Sequence, residues 1–274
     1  MIVSICTLAK RENAYINDWI AYHLGIGYDR IYIYDNNDAD YPLLAEAINP
    51  QLRDSVVIED WRGREFPAIP NVQVYDDWLL RHAGETDWCS FIDVDEFVHL
   101  ESGNIKTFLQ PVPSWINFVI LNWRLFGDDE IIVGDESVPV YERLHVIKNN
   151  LWLSQLYKTT MRCSCEARAV TPHSFQEKLH DVTAYIIPTM IDSDFCCRSY
   201  DALRLLEPQA VLDGYRNYIA HYMTKTLAEF LKYKCERVCP SYGFANKIDY
   251  YFMINERTPE KEAYIQEFYK NQNL

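Results

Sequence analysis

Cys89-Ser90-Phe91-Ile92-Asp93-Val94-Asp95-Glu96-Phe97 runs from an apolar strand straight into an acidic turn. A short apolar run that ends in clustered carboxylates reads as a buried strand followed by a loop at a sheet edge. At such a turn the two Asp side chains of Asp93-Val94-Asp95 can converge on one cation. Hard carboxylate oxygens of this kind suit Mg²⁺ or Mn²⁺, which keep positions open for phosphate oxygens. The same residues can instead close a strand-end turn, with Asp93 capping the next segment.

Upstream, the chain alternates strand and helix signals. Ile2–Thr7, Arg30–Tyr34 and Ser55–Glu59 read as strands, and Trp88–Ile92 as a fourth. Glu12–Leu24 reads as a helix, with Ile16, Ile20 and Leu24 four apart and Gly25 and Gly27 ending it. Pro42 opens a second helix to about Ile48, and Val72–His82 is a third. Alternation at this spacing predicts parallel strands joined by right-handed crossovers. The loops at 7–13, 35–38 and 93–96 should then line one crevice beyond the strands' C-terminal ends. Downstream the pattern loosens. Ile116–Asn122 and Val182–Pro188 read as strands and Thr226–Cys235 as a helix, while 127–150 is polar and carries no clear period.

The 274 residues hold 40 acidic against 26 basic side chains, a net charge of −14. That balance argues against nonspecific nucleic-acid binding, which needs a basic surface. The 20 Tyr and 7 Trp suit an amphipathic cleft or a Tyr-rich core equally. No run of about 18 apolar residues predicts a membrane span, and the N-terminus lacks a basic, apolar leader. The eight Cys then read as reduced thiols of a cytoplasmic protein, with peripheral association at the inner face of the membrane compatible. The spacings of Cys163/Cys165 and Cys196/Cys197 are not those of a zinc knuckle.

Further features extend along the chain: Lys10-x-Glu12-Asn13, Trp19-Ile20-x-Tyr22-His23, Ile33-Tyr34-Asp35-Asn36-Asn37, Gln73 with Asp76, and Trp88 with Phe91–Phe97. Then come Asn122-Trp123-Arg124, Phe126-Gly127-Asp128, Tyr141-Glu142-Arg143, Lys158, Arg162 and Pro172-His173. His221-Tyr222-x-Thr224-Lys225-Thr226, Glu229-Phe230, Lys234 and Arg237 close the series. In order and spacing this resembles family 92 and related family 2-like glycosyltransferases over most of residues 1–240. Val238 departs from it, standing where relatives often carry Gly.

The resemblance implies an α/β fold of the GT-A type, a Rossmann-like, mostly parallel mixed sheet flanked by helices. It would form one domain over 1–240, with a helical extension over 241–274. It implies a nucleotide-sugar donor, UDP-sugar favoured, contacted by Thr7, Glu12, Asp35, Asn36, Gln73, Asp93 and Lys225. Asp35 would sit at the nucleotide base. Mn²⁺ or Mg²⁺ would be held by Asp93, Asp95 and His221, although His221 reads equally as a packed histidine. Lys158 and Arg162 are further cations for the leaving diphosphate. Asp128 is the expected base, with Asp129 and Glu130 as competitors and a plain turn as the alternative. Trp123 and His173 are candidates to position the acceptor, a glycan or lipid-linked glycan of the kind found in surface polysaccharides. Inverting transfer is the expected reaction. A nucleotide-sugar pyrophosphorylase would share the diphosphate grip, but residues 1–30 contain only Gly25 and Gly27 rather than a Gly-rich phosphate loop. A catalytically silent binding module of the same fold is the other alternative.

Overall fold

The structure is a computed structural model and describes residues 1–66, 69–148, 153–178, 185–186, 190–191, 197–198, 216–237 and 247–272. Strands β1 (Val3–Ala9), β2 (Arg30–Asp35), β3 (Val56–Asp60) and β4 (Trp88–Phe91) are mutually parallel, in the spatial order β3-β2-β1-β4. Helices α1 (Ile16–Gly25), α2 (Leu44–Ala47) and α3 (Pro70–His82) lie where the periodicity predicts them. The turn after α1 uses Gly27 at φ +98°, where a Cβ would also meet the Asn104 side chain. One face of α3 buries Val74, Tyr75 and Trp78 in a core with Tyr32, Tyr34, Phe91, Phe118 and Phe175.

Beyond β4 the sheet turns mixed. β5 (Glu96–His99) is followed by β6 (Phe118–Phe126), β7 (Ile147–Lys148) and β8 (Tyr157–Arg162). β8 runs antiparallel between β4 and β6, and β7 is antiparallel to the end of β6. β9 (Ala167–Ala169), β10 (Phe175–Lys178) and β11 (Tyr185–Ile186) make a small antiparallel sheet. β12 (Met190–Ile191) pairs parallel to β6, and β13 (Cys197–Arg198) pairs antiparallel to β12. β14 (Tyr218–His221) pairs with β5 and β6. The α/β architecture with a mostly parallel N-terminal half, flanked by helices, is the GT-A-type arrangement expected. Of the strand expected over 182–188, only Tyr185–Ile186 lies within the described residues.

The chain divides into two compact units, Met1–Arg124 with Leu151–Ala220, and Leu125–Asn150 with His221–Leu274. The segment after 240 is thus grouped with two earlier stretches. Its own core joins Leu227, Phe230, Leu231 and Cys235 to Tyr251 and Ile265. The helix expected over 226–235 is a composite. It is α-helical at Leu227–Glu229, a π-helix at Phe230–Lys234 and 3₁₀ at Cys235–Arg237. No helix among the described residues is long and apolar enough to cross a membrane.

Candidate active site

In the first unit the parallel register puts the loops after β1, β2 and β4 at one end of the sheet. Ala9 lies opposite Asp35, and Cys6 opposite Phe91. The first two loops are tied side to side. Arg11, at φ +55°, donates its backbone N–H to Asn37 Oδ1 at 2.6 Å, and Asn37 Nδ2 donates to Asn13 Oδ1 at 3.0 Å. Lys10 and Arg11 both pair with Asp38 at 2.7 Å. Asp35 is 2% exposed and accepts from the N–H groups of Asn37 and Leu44, both at 3.0 Å, so its carboxylate shapes this loop. The half-buried Asn36 donates its backbone N–H to Ala9, and Glu12, itself buried, accepts the first backbone bonds that start α1. Thr7 is fully buried, and its hydroxyl has no hydrogen-bond partner among the described residues. The same holds for Gln73 Nε2 on the first turn of α3. Open buried polar atoms are costly unless a ligand or water completes them.

The acidic turn is held by a cation from β8. Lys158 is 2% exposed; its Nζ lies 2.6 Å from Asp93 Oδ2 and 3.4 Å from Glu96 Oε2. Asn71 Nδ2 donates to the other Asp93 oxygen at 3.1 Å, and Glu96 Oε2 accepts from Asp93 N at 2.9 Å. Burial works against the Lys158 charge, but Asp93 and Glu96 outweigh it and push the ammonium above its usual range. Glu96 is fully buried, which pushes its carboxyl well up, so the charge pair of the cluster is Lys158 with Asp93. Lys158 therefore braces the turn rather than standing open for a diphosphate. Arg162, at the far end of the same strand, pairs in register with Trp88 and stacks over its ring at 4.2 Å. Four residues of strand separate it from Lys158, roughly 13 Å. That puts Arg162 at the opposite end of β4 from Asp93, away from any diphosphate held there. Trp123 and His173 do come together, edge to face at 5.2 Å, with His173 Nδ1 2.8 Å from Tyr157 O. His23 is a core group. Burial pushes it down to about 3, and its two nitrogens meet Trp19 O and Val98 N.

The remaining expected residues belong to the second unit. His221 is buried at the end of β14, and the buried Lys225 adopts φ +54°. Thr226 and Glu229 form a reciprocal capping box, and Arg143 grips the Glu229 carboxylate with two bonds of 2.7 and 2.5 Å. Burial raises the Glu229 carboxyl, but the bonds from Arg143 and Thr226 outweigh it and hold it below the usual range. Asp128 is fully buried. Its carboxylate takes Tyr251 Oη–H, Lys261 Nζ and the Glu130 N–H, the last at 3.1 Å. A general base must present a lone pair to the acceptor hydroxyl; Asp128, as folded, is a structural node. Asp129 spends both oxygens on the N–H groups of His145 and Val146, at 2.6 and 2.9 Å. Glu130 is exposed, and among the described residues its carboxylate has no partner. Asp129 at φ +50° and Glu130 at φ +64° are both left-handed. Such backbone in a side-chain-bearing residue costs about 1–3 kcal/mol each and persists where the surroundings enforce it.

The Thr226-x-x-Glu229 capping box is legible as a sequence signature but was outside the expected site, and Tyr251, Asn255 and Lys261 carry no local signal at all.

Comparison with known proteins bears on this arrangement. The model of glycosyltransferase family 92 matches residues 1–193. The chain belongs to glycosyltransferase family 92. A family 92 protein of Ricinus communis is 32% identical over 101 residues, 36% of this chain and 17% of that protein. Another, of Arabidopsis thaliana, is 28% identical over 121 residues, 40% of this chain and 20% of that protein. The matched stretch is thus a small part of those family 92 relatives. Among solved structures, Staphylococcus aureus TarS 1–349 aligns at a TM-score of 0.35 and 13% identity, over 60% of this chain and 48% of TarS.

Among the described residues of this family 92 chain, no three His, Cys, Asp or Glu side chains are gathered as a preformed metal cage. A Mg²⁺-like ion needs none, since one or two carboxylates suffice when substrate phosphates supply the rest. The acidic turn carries two carboxylates of that kind, the buried Asp95 and Asp93, the latter also bonded to Lys158 and Asn71. The described cysteines, Cys6, Cys89, Cys163, Cys165 and Cys235, are free thiols; Cys196, Cys239 and the Cys197 side chain lie outside the described residues. Burial pushes Cys163 and Cys165 each up to about 12, which disfavours the thiolates a metal would need.

Proposed function

We propose that the chain is a glycosyltransferase that moves a sugar, with inversion, from a nucleoside-diphosphate sugar to a hydroxyl of a glycan or lipid-linked glycan. UDP-sugar is the favoured donor, Mn²⁺ or Mg²⁺ the cofactor, and the cytoplasm, at the inner membrane face for a lipid-linked acceptor, the place. The observation that carries the reading is the braced acidic turn at the end of β4 in a family 92 chain, where Lys158 and Asn71 fix Asp93 beside the buried Asp95. Bound there, the divalent ion would stabilise charge on the departing diphosphate. Asp95 would hold that ion. The family resemblance assigns His221 to the same ion and Lys225 to the donor diphosphate. Glu130 takes the proton of the acceptor hydroxyl as its oxygen bonds to the anomeric carbon and the bond to the diphosphate breaks. Trp123 and His173 serve to position the acceptor.

The test is a panel of nucleotide sugars with Mn²⁺, scored for release of nucleoside diphosphate and for sugar transferred. Asp95→Ala should lower turnover at least about 100-fold with an unchanged circular dichroism spectrum, because removing a charge-stabilising group costs that much in the transition state. EDTA should reproduce the loss in the wild type, and Mn²⁺ should restore only the wild type. An Asp95→Ala enzyme retaining more than about a tenth of wild-type turnover would sink the metal assignment.

A further inference from the structure

Three left-handed, side-chain-bearing residues of the second unit, Asp129, Glu130 and Lys225, sit in two turns far apart in sequence. One side chain bonds to both turns. Asn255, 4% exposed, accepts the Asp128 N–H on Oδ1 at 2.9 Å and donates from Nδ2 to Thr224 Oγ1 at 2.9 Å. Its partners immediately precede the strained residues: Asp128 before Asp129-Glu130, Thr224 before Lys225. The donors and acceptors fit only one way round, since a flipped amide would set its NH₂ against the Asp128 N–H. The Nδ2 group also reaches Tyr251 O at 3.2 Å, and Tyr251 and Lys261 hold the Asp128 carboxylate from the same C-terminal segment. Buried, fully paired contacts of this kind are what keep left-handed turns in place.

We infer that Asn255 is a positioning residue for catalysis: it clamps the turn that presents Glu130 to the turn that presents Lys225. The inference rests on the transferase reading above and gives residues 247–272 a part in it. The amide touches no substrate; it sets the angle at which a base and a cation are offered. Misplacement of such groups by about 1 Å is enough to lose about 100-fold in rate.

The experiment uses the full chain with three substitutions. Asn255→Ala removes both bonds, Thr224→Val removes the hydroxyl link with little change of shape, and Thr224→Ser restores the hydroxyl. The expected result is a kcat reduced about 10- to 100-fold in Asn255→Ala and Thr224→Val, with KM for the donor within about threefold and Thr224→Ser close to wild type. Deuterium uptake at 128–131 and 224–226 should rise together in Asn255→Ala, while peptides of β1–β4 stay unchanged. A folded Asn255→Ala with wild-type kcat, a Thr224→Ser as impaired as Thr224→Val, or uptake that rises evenly across the chain would each overturn the clamp. A wild type that releases nucleoside diphosphate from no donor would end the transferase reading instead. In that event the exchange data alone would still decide whether Asn255 joins the two turns.

Discussion

Lys158 carries its charge inside the protein, with one carboxylate, Glu96, fully buried and another, Asp93, about a third exposed. Removing one partner of a fully buried ion pair costs roughly 3–5 kcal/mol, because the other charge is left without compensation. Water can reach Asp93, so Lys158→Met should cost less, about 2 kcal/mol, and lower the melting temperature by roughly 4–8 °C. The double variant Lys158→Met/Asp93→Asn should recover part of that loss, because the two charges act as one unit. A single variant as stable as wild type would show that the turn is held by Asn71 and backbone bonds alone. The acidic turn itself was legible, since an apolar strand running into clustered carboxylates has few other meanings. The partner of Asp93 was not, because it comes from β8, 65 residues away. The same limit applies to Asp128. Its sequence context, Phe126-Gly127-Asp128 after a strand, reads as a base at the cleft or a plain turn, and only the fold reveals that Tyr251 and Lys261 engage its carboxylate.

Elements were legible where burial followed a simple period. Strands β1 to β4 and helices α1 to α3 have apolar faces that propensity and spacing both favour, and their ends fall within about four residues of expectation. β8 was invisible for a physical reason. Its Tyr157–Arg162 sequence interleaves polar residues that are nonetheless buried, satisfied by partners such as Ser90 for Thr160 at 2.7 Å and the His173 carbonyl for Thr159 at 2.6 Å. The segment at 226–237 misled in another way: apolar spacing suggested one α-helix, but the backbone widens into a π-turn after the capping box. At the start of this element two contributions can be separated by magnitude. The Thr226 cap should be worth about 1 kcal/mol, as for other N-caps. The Arg143–Glu229 pair is almost wholly buried, with side chains 9% and 1% exposed, so Arg143→Met should cost about 3–5 kcal/mol. Arg143→Lys should recover little, because one ammonium cannot reproduce the two-pronged bond. Chemical denaturation of Thr226→Ala, Arg143→Met and Arg143→Lys would rank them. If Thr226→Ala proves the most damaging, the cap and not the ion pair anchors the element.

Across the whole molecule, contacts bind segments that sequence order separates. Residues 125–150 and the stretch from 221 onward make one unit, and the bond from Asp128 N to Asn255 spans 127 positions. A boundary drawn along the sequence near 240 follows where the family resemblance fades, not where packing stops. The core of this unit shows why. Leu227, Phe230, Leu231 and Cys235 come from one side of that boundary, while Tyr251 and Ile265 come from the other, with Ile248, Tyr250, Phe252, Tyr264 and Phe268 packed against them. A chain ending at Arg237 would expose Leu227, Phe230 and Leu231, each worth about 1.5–3 kcal/mol when buried, and would strip Asp128 of Tyr251, Asn255 and Lys261. The left-handed turns at Asp129, Glu130 and Lys225 would then lose the bonds that Asn255 makes to Asp128 and Thr224 beside them. Truncation at Arg237 should therefore leave β1–β4 protected from hydrogen exchange, while peptides at 125–148 and 221–237 exchange as fast as unfolded chain. Transfer activity should be lost with them. If the truncated chain keeps full protection at 128–131 and 224–226, residues 247–272 are an appendage and this second unit stands without them.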